Sequence, residues 1–316
     1  MAKTPRTPPS RREQRRTLEF LFFMAPFLLG LIFLTFIPLV TGFLTSLTNF
    51  DGLNLRSGLK MVGLANYIQA FSDPNASFSI GRTFNWVVLN LPIWMALSIL
   101  MALILNQDVK GRSFFRTLYY LPSVIPAAAA MTGWRMILDQ NNGLLNAFLS
   151  IFNPGTAIPF LGKYALEGLV MISVWGGLGG GMIIFLAGLQ GIPDELVEAA
   201  KIDGANRWDI TRYITIPLMT PVIFFMLIQG LIGSFQQLVY PLLIGGNSVY
   251  VLPPRGVQLF SVYTYQQIFQ NQRYGYGTAL LWLMTIGVTI LILTIFWSQK
   301  FWVYQGDAET AEGAQK

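Results

Sequence analysis

The sequence contains no cysteine and no histidine. The first absence removes thiol nucleophiles, disulfides and thiolate metal sites; the second removes imidazole bases and most remaining zinc chemistry. Charge is scarce as well: 11% of the 316 residues are Asp, Glu, Lys or Arg, against roughly 25% in a soluble domain. With 53% apolar residues, the composition is that of an integral membrane protein. No G-x-x-x-x-G-K-[ST] run occurs, so there is no Walker-type phosphate loop. The glycine-rich run from Trp175 to Gly181 lacks the lysine and lies inside an apolar stretch. Its pairs Gly176/Gly180 and Gly177/Gly181, four residues apart, suit close helix packing better than a flexible gate. The net charge of +6 does not call for a nucleic-acid partner. Lys3, Arg6, Arg11, Arg12, Arg15 and Arg16 crowd into the tail ahead of the first apolar run, which is a topology signal.

A helix crossing the hydrocarbon core needs about 20 mostly apolar residues. The stretches 20–46, 84–106, 117–138, 166–190, 214–243 and 276–302 qualify. They predict an all-α integral membrane protein of six spans, with a basic tail over 1–17, a transmembrane domain over 18–304 and a short tail over 305–316. The uncharged run from Phe20 to Phe50 is too long for a signal-peptide core, so the first helix is expected to be retained. Orientation follows from Lys and Arg. With the N-terminus inside, 14 of the 21 fall in inner segments and six in outer ones, while Arg135 snorkels beside Trp134 near the outer end of span three. Both termini are therefore expected in the cytoplasm, together with the segment 191–212.

That segment is polar and is set between two apolar runs. Pro193 suits a first helical turn, and Asp194 and Glu195 place negative charge at the positive end of the helix dipole. Leu196, Val197, Ala199, Ala200 and Ile202 give the short helix an apolar face, and Gly204 ends or bends it. Asn206 with Asp209 three residues on has the pattern of a capping box for a second short helix, and Arg212 closes the polar part. Two uses are open from the residues themselves: a docking platform for another protein, or an amphipathic connector along the membrane surface.

Glu198-Ala199-Ala200, three residues, Gly204, nine residues, then Ile214-x-Ile216-Pro217 resembles the EAA loop of ATP-binding-cassette importer permeases, with Ile216 where leucine is usual. Val62-Gly63-Leu64-Ala65-Asn66-Tyr67 with Phe71, Arg116-Thr117-Leu118-Tyr119-Tyr120-Leu121-Pro122, Leu186-Ala187-Gly188-Leu189-Gln190 and Gly275-Tyr276-Gly277-Thr278-Ala279 are similar to other segments of the same family. They point to its carbohydrate-uptake branch, the maltose-type and glycerol-phosphate-type permeases. Leu238-Val239-Tyr240-Pro241-Leu242 departs from those relatives, which often carry an acid there.

The resemblance implies the type I importer permease fold (MetI-like). It places the coupling role on Glu198, Ala199, Ala200, Asp203, Gly204, Ile214 and Pro217, in a helix that seats in a separate ATPase. Implied partners are an ABC ATPase dimer, a second homologous permease, an extracellular or periplasmic solute-binding protein and a carbohydrate solute, with a glycerol-phosphate derivative as the alternative. The chain itself would be no enzyme and would bind no cofactor, ATP and Mg being used by the ATPase. The implied location is a bacterial or archaeal cytoplasmic membrane.

A solute path is suggested by the fifth span. No charged residue occurs from Tyr213 to Pro254. At 100° per residue from Gln229, Gly233 falls at about +40°, Gln236 at about −20°, Gln237 at about +80° and Tyr240 at about +20°. Carboxamides facing lipid are costly, so this stripe meets either other helices or a water-filled path. Asn85, Asn90 and Trp94 in the second span are spaced to join it. Pro92, Pro122 and Pro126 are expected to bend their helices. The outer segments 51–82 and 245–274, the latter with Tyr250, Phe260, Tyr263, Tyr265 and Phe269, are candidate contacts for a solute-binding protein. An ion-coupled carrier, the competing class, usually keeps ionisable groups at the midplane, and an intramembrane enzyme needs acid–base groups that are missing here.

Overall fold

The computed structural model describes residues 11–53, 59–107, 110–245 and 253–304. The tail over 1–10, the tail over 305–316, Arg56 and Tyr250 lie outside the described residues. The apolar runs fold as helices because a helix satisfies its own backbone where water is absent. Five are long and apolar enough to cross a membrane: Glu19–Ser46, Pro74–Leu105, Ala165–Gln190, Arg207–Phe235 and Tyr274–Phe301. The first is made of α1 (Arg11–Leu31) and α2 (Ile37–Ser46), joined by a π-helical turn over Ile32–Phe36. None of its apolar window is buried within the chain. A short α3 (Ala65–Ser72) precedes the 32-residue α4 (Pro74–Leu105).

The predicted third span is not one helix. It is α5 (Arg112–Val124) followed by α6 (Ala127–Leu138), with Ile125 and Pro126 both extended at ψ 127° and 135°. Pro126 has no N–H to continue the ladder, and its ring drives the residue before it out of the helical region. Pro92 and Pro122, by contrast, are carried inside α4 and α5. Next come α7 (Leu144–Phe152), α8 (Ala165–Gln190), α9 (Asp194–Ile202) and α10 (Arg207–Ile210). A π-helical turn over Thr211–Thr215 leads into α11 (Ile216–Phe235).

The fifth span is also shorter than its sequence suggests. α11 stops at Phe235, and the chain resumes as α12 (Val239–Ile244) after a break over Gln236–Leu238. The cause is Pro241, which leaves the Gln237 carbonyl without its helical donor. Ser261 Oγ takes that carbonyl instead, at 2.6 Å. α13 (Phe260–Tyr265) and α14 (Tyr274–Ser298) complete the chain.

Three helices form the frame. α4 and α8 pack along each other, and α5 lies against α8 on another side. At the α5–α8 crossing the backbones nearly touch, since a Cβ on Gly179 would stand 2.3 Å from the Tyr119 carbonyl oxygen. Such close approach substitutes for the hydrophobic drive that lipid does not supply. Trp86 is wholly buried between α4 and α11, its Nε1 donating to the Ser234 carbonyl at 3.1 Å. At the Asp73 end, Asn66 Nδ2 donates to the carbonyls of Ser46 and Thr48, both at 2.8 Å, and fastens the end of α2.

Candidate coupling loop and solute path

The α8–α11 connection is built residue by residue from local signals. Pro193 stands at the N-cap position just ahead of α9, with Asp194 and Glu195 in the first turn and Lys201 in the last, an arrangement that matches the helix dipole. Gly204, at φ +83°, lies in the left-handed region where a Cβ is disfavoured. Its N–H donates to the Lys201 carbonyl at 3.1 Å, and Ala205 N–H donates to the Ala200 carbonyl at 2.9 Å. Those two bonds are the paired closure of a Schellman motif. The spacing from the alanine pair to Gly204 is thus the length of one capped turn.

Asn206 then caps α10. Its Oδ1 accepts from Trp208 N at 2.8 Å and Asp209 N at 3.1 Å, while Asp209 Oδ2 accepts from Asn206 N at 3.1 Å. The capping box expected from the sequence is present. Beyond it, Ile214 lies in the π-helical turn and Pro217 in the first turn of α11. The Ile216 N–H reaches back five residues to Thr211 O, widening the helix just before the residue that cannot donate.

No residue of α9 is buried. Glu198, Ala199, Asp203 and Gly204 are exposed and Ala200 half-buried. Ile202 and Trp208, at 87% and 69% exposure, are large apolar side chains that the rest of the chain leaves uncovered. Sequence reasoning missed Trp208, since a lone aromatic between Arg207 and Asp209 gives no periodic signal.

The polar stripe is brought together only in part. A cavity of about 420 Å³ is lined by Asn90 and Trp94 from α4, Gly177 from α8, and Gln229, Gly233 and Gln237. Gln236 and Tyr240 do not line it. A shared stripe requires one helix through residue 240, whereas α11 ends at Phe235 and the chain resumes only at Val239. Gln237 Nε2 reaches Ser173 Oγ at 3.4 Å, and the Tyr240 hydroxyl approaches Gly176, where a Cβ would be 3.2 Å away. Asn90 Oδ1 is buried with no hydrogen-bond partner. Trp94 is seated by glycines of two helices: a Cβ on Gly177 or Gly181 would stand 3.0 Å from its indole, and one on Gly230 2.8 Å. Of the glycine run, Gly177 and Gly181 therefore pack against Trp94 while bordering the cavity, and Gly180 lines it with open space before it. Asn85 is not among the lining residues.

At the far side from α9, Asp73 caps α4 by accepting from Asn75 N at 2.9 Å. The same carboxylate accepts from Tyr276 Oη at 2.6 Å and from Tyr263 Oη. Burial pushes its pKa up, but the hydrogen bonds from Tyr263, Tyr276, Asn75 and Ala76 outweigh burial and hold it below the usual carboxylate value. Tyr263 is shifted up, by burial first and then by its bond to the Asp73 charge. This node joins residues 190 and 203 positions apart in the chain, which no local pattern announces.

A helical bundle with five helices long and apolar enough to cross a membrane, and a capped knuckle between two of them, has the build of a polytopic membrane protein. Residues 94–303 match the family model described as binding-protein-dependent transport system inner membrane component, and the chain belongs to that family. It is 34% identical over 308 residues to a probable ABC transporter permease protein, YesP, of Bacillus subtilis, covering 95% of this chain and 96% of that protein. It is 28% identical to the multiple sugar-binding transport system permease protein MsmF of Streptococcus mutans, over 89% and 94% of the two chains. Among solved structures, a chain of a bacterial alginate ABC transporter, in complex with an alginate pentasaccharide-bound periplasmic protein, superposes with a TM-score of 0.77 at 21% identity. That match covers 91% of this chain and 96% of that one, a likeness that concerns the fold.

Proposed function

We propose that this chain is the permease subunit of an ATP-driven importer for a sugar or oligosaccharide, with α9 and α10 as its contact to a separate ATPase dimer. The observation that carries the reading is the knuckle over 191–217. It is capped at Gly204 and Asn206 yet leaves Ile202 and Trp208 uncovered by the rest of the chain. Exposed apolar side chains on an ordered element are what a docking site offers a partner, and the exposed charges of Glu198, Lys201, Asp203 and Arg207 around them support a protein partner over a connector lying along the membrane surface. Glu198, Ala199, Ala200, Asp203, Gly204, Ile214 and Pro217 form or hold this contact. ATP and Mg belong to the ATPase, and this chain binds no cofactor of its own.

The solute is a carbohydrate, in keeping with the names of relatives such as the arabinooligosaccharide permease AraP of Bacillus subtilis and with a cavity of carboxamides and an indole. Gln229 and Gln236 are exposed in the single chain. Carboxamides at that depth do not face lipid, which supports a second homologous permease across the path. α5 and α6, of 13 and 12 residues, together reach about the thickness of the hydrocarbon core and serve as a broken sixth crossing. The distribution of Lys and Arg supports a cytoplasmic position for both termini and the knuckle, and relatives from Bacillus subtilis and Pyrococcus horikoshii support a bacterial or archaeal membrane. The Asp73 side then faces outward to a solute-binding protein.

The test is reconstitution in proteoliposomes with the co-expressed ATPase, second permease and binding protein. Sugar uptake should require ATP and the ATPase. Uptake driven by an ion gradient with the ATPase left out would overturn the reading.

A further inference from the structure

Two arginines sit at the unfavourable end of their own helix. α5 begins at Arg112 and carries Arg116 one turn later, so both cations stand where the helix dipole is positive. Among the described residues neither is paired with a carboxylate, and the Nε atoms of both are buried without a hydrogen-bond partner. What they share is Gln190, the last residue of α8. With its carboxamide oxygen turned to α5, it accepts from Arg112 Nη2 at 2.8 Å and from Arg116 Nη2 at 3.0 Å. The C-terminal end of α8, with its orphan carbonyls, is where positive charge is favoured. A single side chain thus gathers two cations at the root of the knuckle, immediately before Pro193 and Asp194 open α9.

The same two helices meet again, backbone against backbone, at Gly179 and Tyr119. The two attachments are about 16 Å apart along α8, enough to fix direction as well as position. On its far side α5 is released from α6 by the extended pair Ile125–Pro126.

We propose that Arg112, Arg116 and Gln190 form a clamp that makes α5 move as one body with the root of the coupling loop. Displacement of α9 is delivered through α8 to α5 and is taken up at the Ile125–Pro126 joint. The three are positioning residues, and the proposal rests on the coupling reading given above.

The absence of cysteine from the sequence makes a direct test clean. Spin labels are placed on Ser113→Cys in α5 and Ala187→Cys in the last turn of α8, both exposed positions outside the proposed ATPase contact, in a complex that retains ATP-driven uptake. The distance between them is measured without nucleotide and with ATP bound. The clamp predicts the same distance in both states. In Gln190→Leu the distance should differ between the two states. Sugar delivered per ATP hydrolysed should fall roughly tenfold, with the ATPase still bound and hydrolysing. Gln190→Glu, which offers a carboxylate to the same arginines, should restore both readouts. A wild-type distance that changes with nucleotide, or full coupling in Gln190→Leu, overturns the clamp and leaves the coupling reading standing. Failure of the ATPase to co-purify with the unlabelled wild-type chain overturns that reading, and the clamp with it.

Discussion

At the scale of single residues, the knuckle rests on one backbone conformation and one side chain. Gly204 holds φ +83° and closes α9 through two hydrogen bonds. A β-branched replacement there costs about 1–2 kcal/mol for the left-handed conformation alone, and it is free to relax by opening the motif. Gly204→Val should therefore insert normally in the membrane yet lose co-purifying ATPase and ATP-driven uptake. Full uptake by this variant would remove the docking role from the motif. Trp208 is the larger test, because it is exposed in the free chain and so has nothing of its own fold to lose. If it is buried at the ATPase contact, Trp208→Ala should cost about 2 kcal/mol, roughly 30-fold in the affinity of the detergent-solubilised permease for the ATPase. Its thermal stability should stay unchanged, and a matching fall in Tm would mean that Trp208 serves the fold instead.

At the scale of elements, the departures from the sequence reading trace to proline. Residues 117–138 and 214–243 are mostly apolar and carry no charge but Arg135, so composition alone carries a helix across them. Pro126 and Pro241 act on the backbone ladder, which hydropathy does not register. The knuckle was legible because its signals are local: Asn206 and Asp209 lie three apart, and Gly204 sits just past the last helical residue. The Asp73 node was not, since its partners Tyr263 and Tyr276 come from the other end of the chain. Two element-level predictions follow from these contacts. Ser261→Ala would orphan the Gln237 carbonyl at the α11–α12 break, at a cost of about 1–3 kcal/mol read as a lowered Tm. For Asp73, the folded-state pKa lies below its ordinary 3.8, so the node's stability is fully present above that ordinary value. It is lost as pH falls through the folded-state pKa. Asp73→Asn keeps the capping oxygen while removing the charge. It should flatten the acid limb of the Tm–pH profile, and an acid limb identical to wild type would show that the node does not govern it.

At the scale of the whole molecule, the arrangement separates three tasks along one axis. The knuckle lies at one end, the Asp73 node ties α4, α13 and α14 at the other, and the cavity lined by Asn90, Trp94, Gln229, Gly233 and Gln237 lies between. The frame around the cavity is packed tightly enough that its shape is specified. A Cβ on Gly230 would fall 2.4 Å from Leu91 Cδ1 and 2.8 Å from the Trp94 ring, so Gly230→Ala should cost about 1–3 kcal/mol by overpacking. Gln229 is different, being exposed and held by no hydrogen bond among those described. Gln229→Leu therefore removes a donor and an acceptor at nearly constant volume, without breaking a bond that the single chain makes. If Gln229 faces the solute, the variant should keep its Tm and its ATPase while uptake falls unevenly across a panel of sugars. That unevenness is the informative part. A residue that merely contacts the second permease would lower assembly and depress every sugar alike, and a residue facing lipid would gain stability on becoming apolar and leave uptake untouched. Measuring assembly, Tm and a sugar panel on this one substitution therefore assigns the polar face of α11 to solute, subunit or lipid.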